Sequence, residues 1–123
     1  MSNIEPDFDL SLLYEIADGS TEFIIESIDM FLANTPGLMK SLSQALSSRD
    51  WAAVNSTAHI LKSNLGFFGM PVSQALMQEI EIMAKADSPD HAAVLAEFNE
   101  AKQIMSVNLK SLGEIKAGLN GQR

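Results

Sequence analysis

The sequence predicts an all-α protein: an antiparallel up-and-down four-helix bundle with an additional short N-terminal helix packed across one end. Three observations support this fold class. Apolar residues recur every three or four positions along almost the whole chain, whereas the alternation typical of strands is missing. Glycine, proline and aspartate interrupt this spacing at intervals, which indicates short turns between helices. Amphipathic helices joined by short turns pack as antiparallel neighbours.

The first two helices are predicted at about residues 10–17 and 21–34. Asp9 and Ser20 are their expected caps, since both side chains can accept a hydrogen bond from a backbone amide of the first turn. The segment Thr35-Pro36-Gly37 is expected to end the second helix, because a residue before proline avoids the α region.

A third helix is predicted over about residues 38–47, and a fourth, capped by Asp50, begins at Trp51 and ends near Gly69. Glycine suits the position just past a helix, because it adopts a positive φ at little cost. One continuous apolar stripe on the fourth helix consists of Trp51, Val54, Ala58, Leu61, Leu65 and Phe68.

The fifth helix is predicted over about residues 71–86, with Pro71 in its first turn, where no backbone N–H is needed. Its expected inward residues are Val72, Leu76, Ile80 and Met83. The last helix is predicted over about residues 89–118, with Ser88 as its cap and Pro89 in its first position.

Composition and charge exclude several classes of function. A chain of 123 residues is about one domain long, and its net charge of −8 argues against nucleic acid and anionic membrane surfaces as partners. It contains no cysteine, no apolar run long enough to span a membrane and no signal-peptide pattern. The expectation is a cytoplasmic single domain over residues 1–123, with flexible tails at about 1–8 and 120–123.

His59 lies on the polar side of the fourth helix, more than about 100° from the centre of the apolar stripe. Its neighbours one or two turns away are Asn55, Lys62, Ser63 and Gly66. The histidine is therefore predicted to be exposed. Glycine inside a helix costs about 1 kcal/mol relative to alanine, which suggests a close approach to this face. Taken alone, an exposed histidine beside a lysine is also compatible with an ordinary surface.

The segment from Ala58 to Met70 resembles the signature of histidine-containing phosphotransfer (HPt) domains, Ala-His-x-Leu-Lys-Gly-Ser-Ser. The matching residues are His59, Leu61, Lys62 and Gly69. Phe31-Leu32, Pro36, Ala45-Leu46 and Asp50-Trp51 upstream, and the region of Glu81 downstream, resemble the helices around that motif. The resemblance covers about residues 10–115. The sequence departs from the pattern at Ser63, Asn64 and Leu65, where the family often has glycine and small residues.

The resemblance implies that His59 accepts a phosphoryl group on Nε2 from an aspartyl phosphate of a receiver domain and passes it to another receiver. Lys62 would balance the phosphoryl charge. Glu81 would hold Nδ1 and so orient the ring, with Gln78 as the alternative. Mg²⁺ is expected on the partner, and no cofactor or metal site is expected here. No ATP-binding motif is present, which makes the protein a phosphoryl carrier and not a kinase.

The expected partners are response-regulator receivers or a hybrid sensor kinase, bound by a monomer. The predicted docking face and helix-end turn consist of Ser63, Gly66, Asn55, Ile60, Phe67 and Gly69. For Ile60 and Phe67, packing in the core is the alternative.

Other classes of function are weighed on the same residues. A di-metal carboxylate site is excluded, because the residues three before His59 and His91 are serines and not glutamates. His91 is interpreted as a surface residue. The competing hypothesis is a non-catalytic helical adaptor in which His59 is incidental, and a piece of a larger hybrid kinase is a further alternative.

Overall fold

The structure is a computed structural model that describes residues 5–121. Its five helices are α1 (Ser11–Ala17), α2 (Thr21–Ser47), α3 (Trp51–Phe67), α4 (Pro71–Ala84) and α5 (His91–Asn120). α2 packs against α3 and α5, and α4 packs against the same two helices, so that four helices close around one core. The short α1 packs against α2. The predicted all-α bundle with one extra N-terminal helix is confirmed.

The core lies between all five helices. The largest fully buried side chains include Leu13, Ile28, Leu42, Leu61, Leu65, Met77, Ile80, Met105 and Leu112. The predicted stripe of α3 faces this core, except that Trp51 at its start is only half-buried. Within residues 5–121, no helix has the length and apolar character needed to cross a membrane.

Side-chain caps begin the helices largely where the sequence predicts them. Ser20 Oγ accepts a hydrogen bond from the amide of Phe23 at 3.1 Å, and Asp50 Oδ1 accepts one from the amide of Ala53 at 3.2 Å. Gly69 follows α3 with a φ of +61°. These caps fix where α3 begins and ends, and so fix which of its residues face outward.

The predicted break at Thr35-Pro36-Gly37 is wrong, because α2 continues through Pro36 to Ser47. Proline removes one hydrogen bond from a helix and costs about 3 kcal/mol. Burial on both sides of the proline outweighs this cost. Phe31 and Thr35 before it, and Met39 and Leu42 after it, are buried, whereas the proline itself faces solvent.

Two other expectations for the second half of the chain need correction. The last helix begins at His91 and not at Pro89, because Asp90 is the cap and accepts a hydrogen bond from the amide of Ala93 at 3.1 Å. Val72, predicted to face inward, is 49 % exposed, because the buried side of the first turn of α4 is formed by Ser73.

The N-terminal segment before α1 is fastened to the bundle. The carboxylate of Asp7 accepts hydrogen bonds from the amides of Val72 and Ser73, at 3.2 and 2.8 Å, at the start of α4. The amide of Asp7 donates to Asn108 Oδ1 of α5 at 2.7 Å. The tail predicted over residues 1–8 is therefore too long at its inner end. Residues 1–4 and 122–123 lie outside the described part of the chain.

Candidate functional site

His59 lies on the outer surface of α3, with 58 % of its side chain exposed. The exposure follows from the rotation of the helix. Ala58 and Leu61 are fully buried on the opposite side, and successive helical residues are about 100° apart. The predicted exposure of His59 is confirmed.

The site is built by one carboxylate that joins two helices. Glu81 Oε2 of α4 lies 2.8 Å from His59 Nδ1, and Glu81 Oε1 accepts a hydrogen bond from Lys62 Nζ at 2.6 Å. The backbone carbonyl of Glu81 accepts a further hydrogen bond from Asn55 Nδ2 at 2.8 Å. An ionised carboxylate can only accept, so the proton of this contact lies on Nδ1. In a neutral imidazole the lone pair is then on Nε2.

Electrostatics keep this carboxylate ionised. The hydrogen bond from Lys62 is the main cause that holds the pKa of Glu81 below its ordinary value, and the contact with His59 lowers the pKa further. Burial acts in the opposite direction, because Glu81 is only 8 % exposed. The two partners outweigh burial, and the acceptor of His59 Nδ1 carries a full charge at neutral pH.

The two residues considered as orienters of the ring differ clearly in position. Gln78 is exposed on the outer side of α4, and the acceptor at hydrogen-bonding distance from Nδ1 belongs to Glu81. Lys62, expected to balance the phosphoryl charge, has its ammonium group on Glu81. Its charge therefore acts first on the carboxylate that holds His59.

The predicted docking residues fall into two groups. Ser63 and Ile60 are exposed beside His59, and the 48 % exposure of Ile60 rules out core packing for it. The others point inward or are covered. Asn55 bonds to Glu81, and a Cβ placed on Gly66 would lie 2.6 Å from Gln74 Nε2.

The remaining two docking residues lie near the end of α3. The backbone of Gly69 is in close contact with that of Asp9, whose amide donates to the Gly69 carbonyl at 2.9 Å. Phe67 is half-buried and meets the ring of Phe68 edge-on, with centroids 5.4 Å apart. Gly69 is thus part of the fold's N-terminal closure, whereas Phe67 remains partly accessible.

A groove between α2 and α3 was missed by the sequence reasoning. It has a volume of about 210 Å³. Its lining residues are Ser27, Met30, Phe31, Asn34, Thr35, Asn64, Phe67 and Phe68. The expected break after residue 34 hid the continuity of α2 that forms one wall. Met30, a large apolar residue with 64 % of its surface exposed, was the available signal.

The second histidine of the chain has a structural environment. His91 Nε2 lies 3.0 Å from the carbonyl oxygen of Leu46, and its ring meets that of Trp51 at an angle, with centroids 6.1 Å apart. The interpretation of His91 as a plain surface residue is therefore wrong. Among residues 5–121, no group of three or more His, Asp or Glu side chains could hold a metal ion.

Comparison with known families identifies the chain. A family model described as the Hpt domain matches residues 26–113, which include α3 and α4 entirely. The chain belongs to the Hpt domain family. Membership implies histidine phosphotransfer in two-component phosphorelays, and Hpt domains are phosphoryl carriers without kinase sites that interact with receiver domains and kinases. Comparisons with curated proteins and with solved structures gave no match.

Proposed function

We propose that this Hpt domain is a phosphorelay intermediate in which His59 accepts a phosphoryl group on Nε2 from the aspartyl phosphate of a receiver domain. It then passes the group to the aspartate of another receiver. The observation that carries the proposal is the contact between His59 Nδ1 and the Glu81 carboxylate, on a side chain that is 58 % exposed. This contact directs the lone pair to Nε2 and leaves the ring accessible to a partner.

The transfer step needs only groups that the two proteins bring together. The Nε2 lone pair attacks phosphorus, the N–P bond forms, and the bond between phosphorus and the aspartyl oxygen breaks. The receiver's carboxylate leaves with the electron pair. Because such transition states are loose and in line, positioning and charge balance supply most of the catalysis. Mg²⁺ bound by the receiver balances the charge of the transferring group.

Glu81 acts on the charge that develops on the ring. When Nε2 binds phosphorus while Nδ1 keeps its proton, the imidazole becomes positively charged. The carboxylate at 2.8 Å stabilises that charge, and the interaction is strongest in the transition state and the product. Lys62 keeps Glu81 ionised and lies one helical turn from His59, where its ammonium group also faces the incoming phosphoryl group.

The carrier is proposed to work as a monomer, with no kinase activity or cofactor of its own. Its partners would be receiver domains, free or attached to a hybrid sensor kinase. Partner choice then depends on the surface around His59.

The proposal is tested by incubating the protein with a panel of phosphorylated receiver domains and Mg²⁺. The chain has two histidines, which provides a matched pair of variants. Acid-labile, alkali-stable phosphate on the wild type and on His91→Gln, but not on His59→Gln, is the expected result. Label that survives in folded His59→Gln, or no label on folded wild type with any receiver, would overturn the proposal and favour a non-catalytic adaptor.

A further inference from the structure

We infer that the receiver domain docks through the groove between α2 and α3, where Met30 and Phe67 receive one apolar side chain of the partner. This inference rests on the proposed function, because it concerns the protein that reaches His59. The occupant is a receiver that presents a leucine- or phenylalanine-sized side chain beside its phosphorylated aspartate.

Distance requires the groove to lie within the contact area. An interface of ordinary size covers about 800 Å² on each partner, which is a disc of about 16 Å radius. Phe67 is eight residues beyond His59 on α3, a rise of about 12 Å. On the helix it is turned about 80° from His59, and Ile60 is turned about 100° to the same side. A partner centred on His59 therefore reaches this side of α3.

The opposite flank of His59 has fewer free groups to offer. Lys62 and Glu81 are hydrogen-bonded to each other, and Asn55 donates to the Glu81 carbonyl. Gly66, further along this flank, is covered by the side chain of Gln74. Binding on this side would have to break these bonds or leave them unused, so the flank next to α4 is unsuited to anchor a partner.

The chemistry of the groove selects its occupant. The floor is formed by Phe31 and Phe68, whose rings lie 4.5 Å apart, and both are nearly fully buried. Asn34 and Asn64 supply amides at the rim, and no lining residue is charged. The volume of about 210 Å³ is below the roughly 300 Å³ at which pockets for small ligands begin. An uncharged, aromatic-floored groove of this size suits a single apolar anchor side chain, the usual centre of a protein interface.

Two exposed apolar residues provide a matched test. Met30 lies at the groove and is 64 % exposed, and Ile82 lies on the outer side of α4 and is 60 % exposed. Both can be replaced by glutamate without disturbing the core, and both changes add the same charge. Transfer from the receiver that phosphorylates the wild type fastest is measured as kcat/KM. Phosphorylation of His59 by potassium phosphoramidate, a donor too small to need the groove, measures the reactivity of the site alone.

We expect Met30→Glu to lower kcat/KM for the receiver at least tenfold through a higher KM, and Ile82→Glu to stay within twofold of the wild type. Met30→Gln should fall between them, which separates lost apolar contact from added charge. Labelling by phosphoramidate should be unchanged in all three. Equal rates for Met30→Glu and the wild type, or equal losses in Met30→Glu and Ile82→Glu, would overturn the groove while leaving the phosphotransfer function intact. Failure of the wild type to accept phosphate from any receiver would remove both.

Discussion

The carboxylate of Glu81 holds two partners at once, with Oε2 2.8 Å from Nδ1 of His59 and Oε1 2.6 Å from Nζ of Lys62. The histidine and the lysine lie on α3 and the carboxylate on α4, so packing of these two helices sets the geometry of the site. α3 and α4 make the most extensive helix contact in the described chain. A rigid pair of helices therefore holds the ring in one orientation.

Removal of the carboxylate should slow phosphoryl transfer. A hydrogen bond to a charged group is worth about 1.5–3 kcal/mol, and each 1.4 kcal/mol is a factor of about ten. We expect Glu81→Ala to lower the rate of transfer from a phosphorylated receiver roughly 10- to 100-fold. Glu81→Gln, which keeps an acceptor but loses the charge, should lose less. Rapid-quench kinetics measure the rate, and Gln78→Ala is the control expected to retain it. A wild-type rate in Glu81→Ala would contradict a positioning role for Glu81.

Loss of Lys62 should weaken the pH dependence of stability. Its hydrogen bond is the largest cause that holds the pKa of Glu81 below the ordinary value of 4.5. A carboxyl with a lower pKa in the folded state stabilises the fold above the unfolded-state pKa, and this contribution is lost as pH falls through the folded-state value.

The corresponding measurement is urea unfolding at about pH 6 and about pH 3, which bracket that titration. The decrease in free energy of unfolding between them should be smaller in Lys62→Met than in the wild type. Lys110→Met, at an exposed position of α5, controls for the loss of one positive charge. An unchanged decrease in Lys62→Met would show that the ion pair does not contribute in solution.

The order of the helices shows where sequence reasoning succeeds. The spacing of apolar residues on α3 determined which residues are buried, and hence that His59 faces outward. It failed at Pro36, because the local preference of proline opposes a helix whose neighbouring turns bury Phe31, Thr35, Met39 and Leu42. Tertiary burial, which local propensity does not include, decides such cases.

The site was predictable only in part for a related reason. Glu81 was the expected partner of Nδ1 because it lies on the next helix, and the structure has it at hydrogen-bonding distance. That Lys62 shares the same carboxylate could not be read from spacing, since it depends on the rotation of α4 against α3. The groove at Met30 likewise requires two helices, and only one of them had been assigned correctly.

Alanine at the two glycines near the site should have opposite effects on stability. In Gly66→Ala the new Cβ meets only the flexible end of Gln74, and helix propensity favours alanine by about 1 kcal/mol. We expect a neutral change or a gain of up to about 1 kcal/mol. In Gly69→Ala the Cβ meets the backbone of Asp9 at a φ of +61°, and we expect a loss on the order of 1–3 kcal/mol. Urea unfolding of both variants measures the contrast, and a loss in Gly66→Ala as large as in Gly69→Ala would contradict it.

The carboxylate of Asp7 should contribute to stability although it precedes the first helix. It accepts hydrogen bonds from two amides at the start of α4 and from the hydroxyl of Ser73. Loss of such a cap costs about 1 kcal/mol. We expect Asp7→Ala to lower the free energy of unfolding by about this amount, as measured by thermal and urea unfolding. Glu5→Ala, at an exposed position, should change it by only a few tenths of a kcal/mol. Equal stability of the two variants would contradict the capping role.

The central claim is that the exposed nitrogen of His59, opposite the one held by Glu81, accepts the phosphoryl group. Long-range ¹H–¹⁵N spectra of the protein, recorded before and after phosphorylation by a receiver domain, identify the modified histidine and the modified ring nitrogen together. We predict that the nitrogen resonance that shifts is Nε2 of His59, with Nδ1 still protonated. A phosphoryl group on Nδ1 of His59, or on His91, would contradict the account.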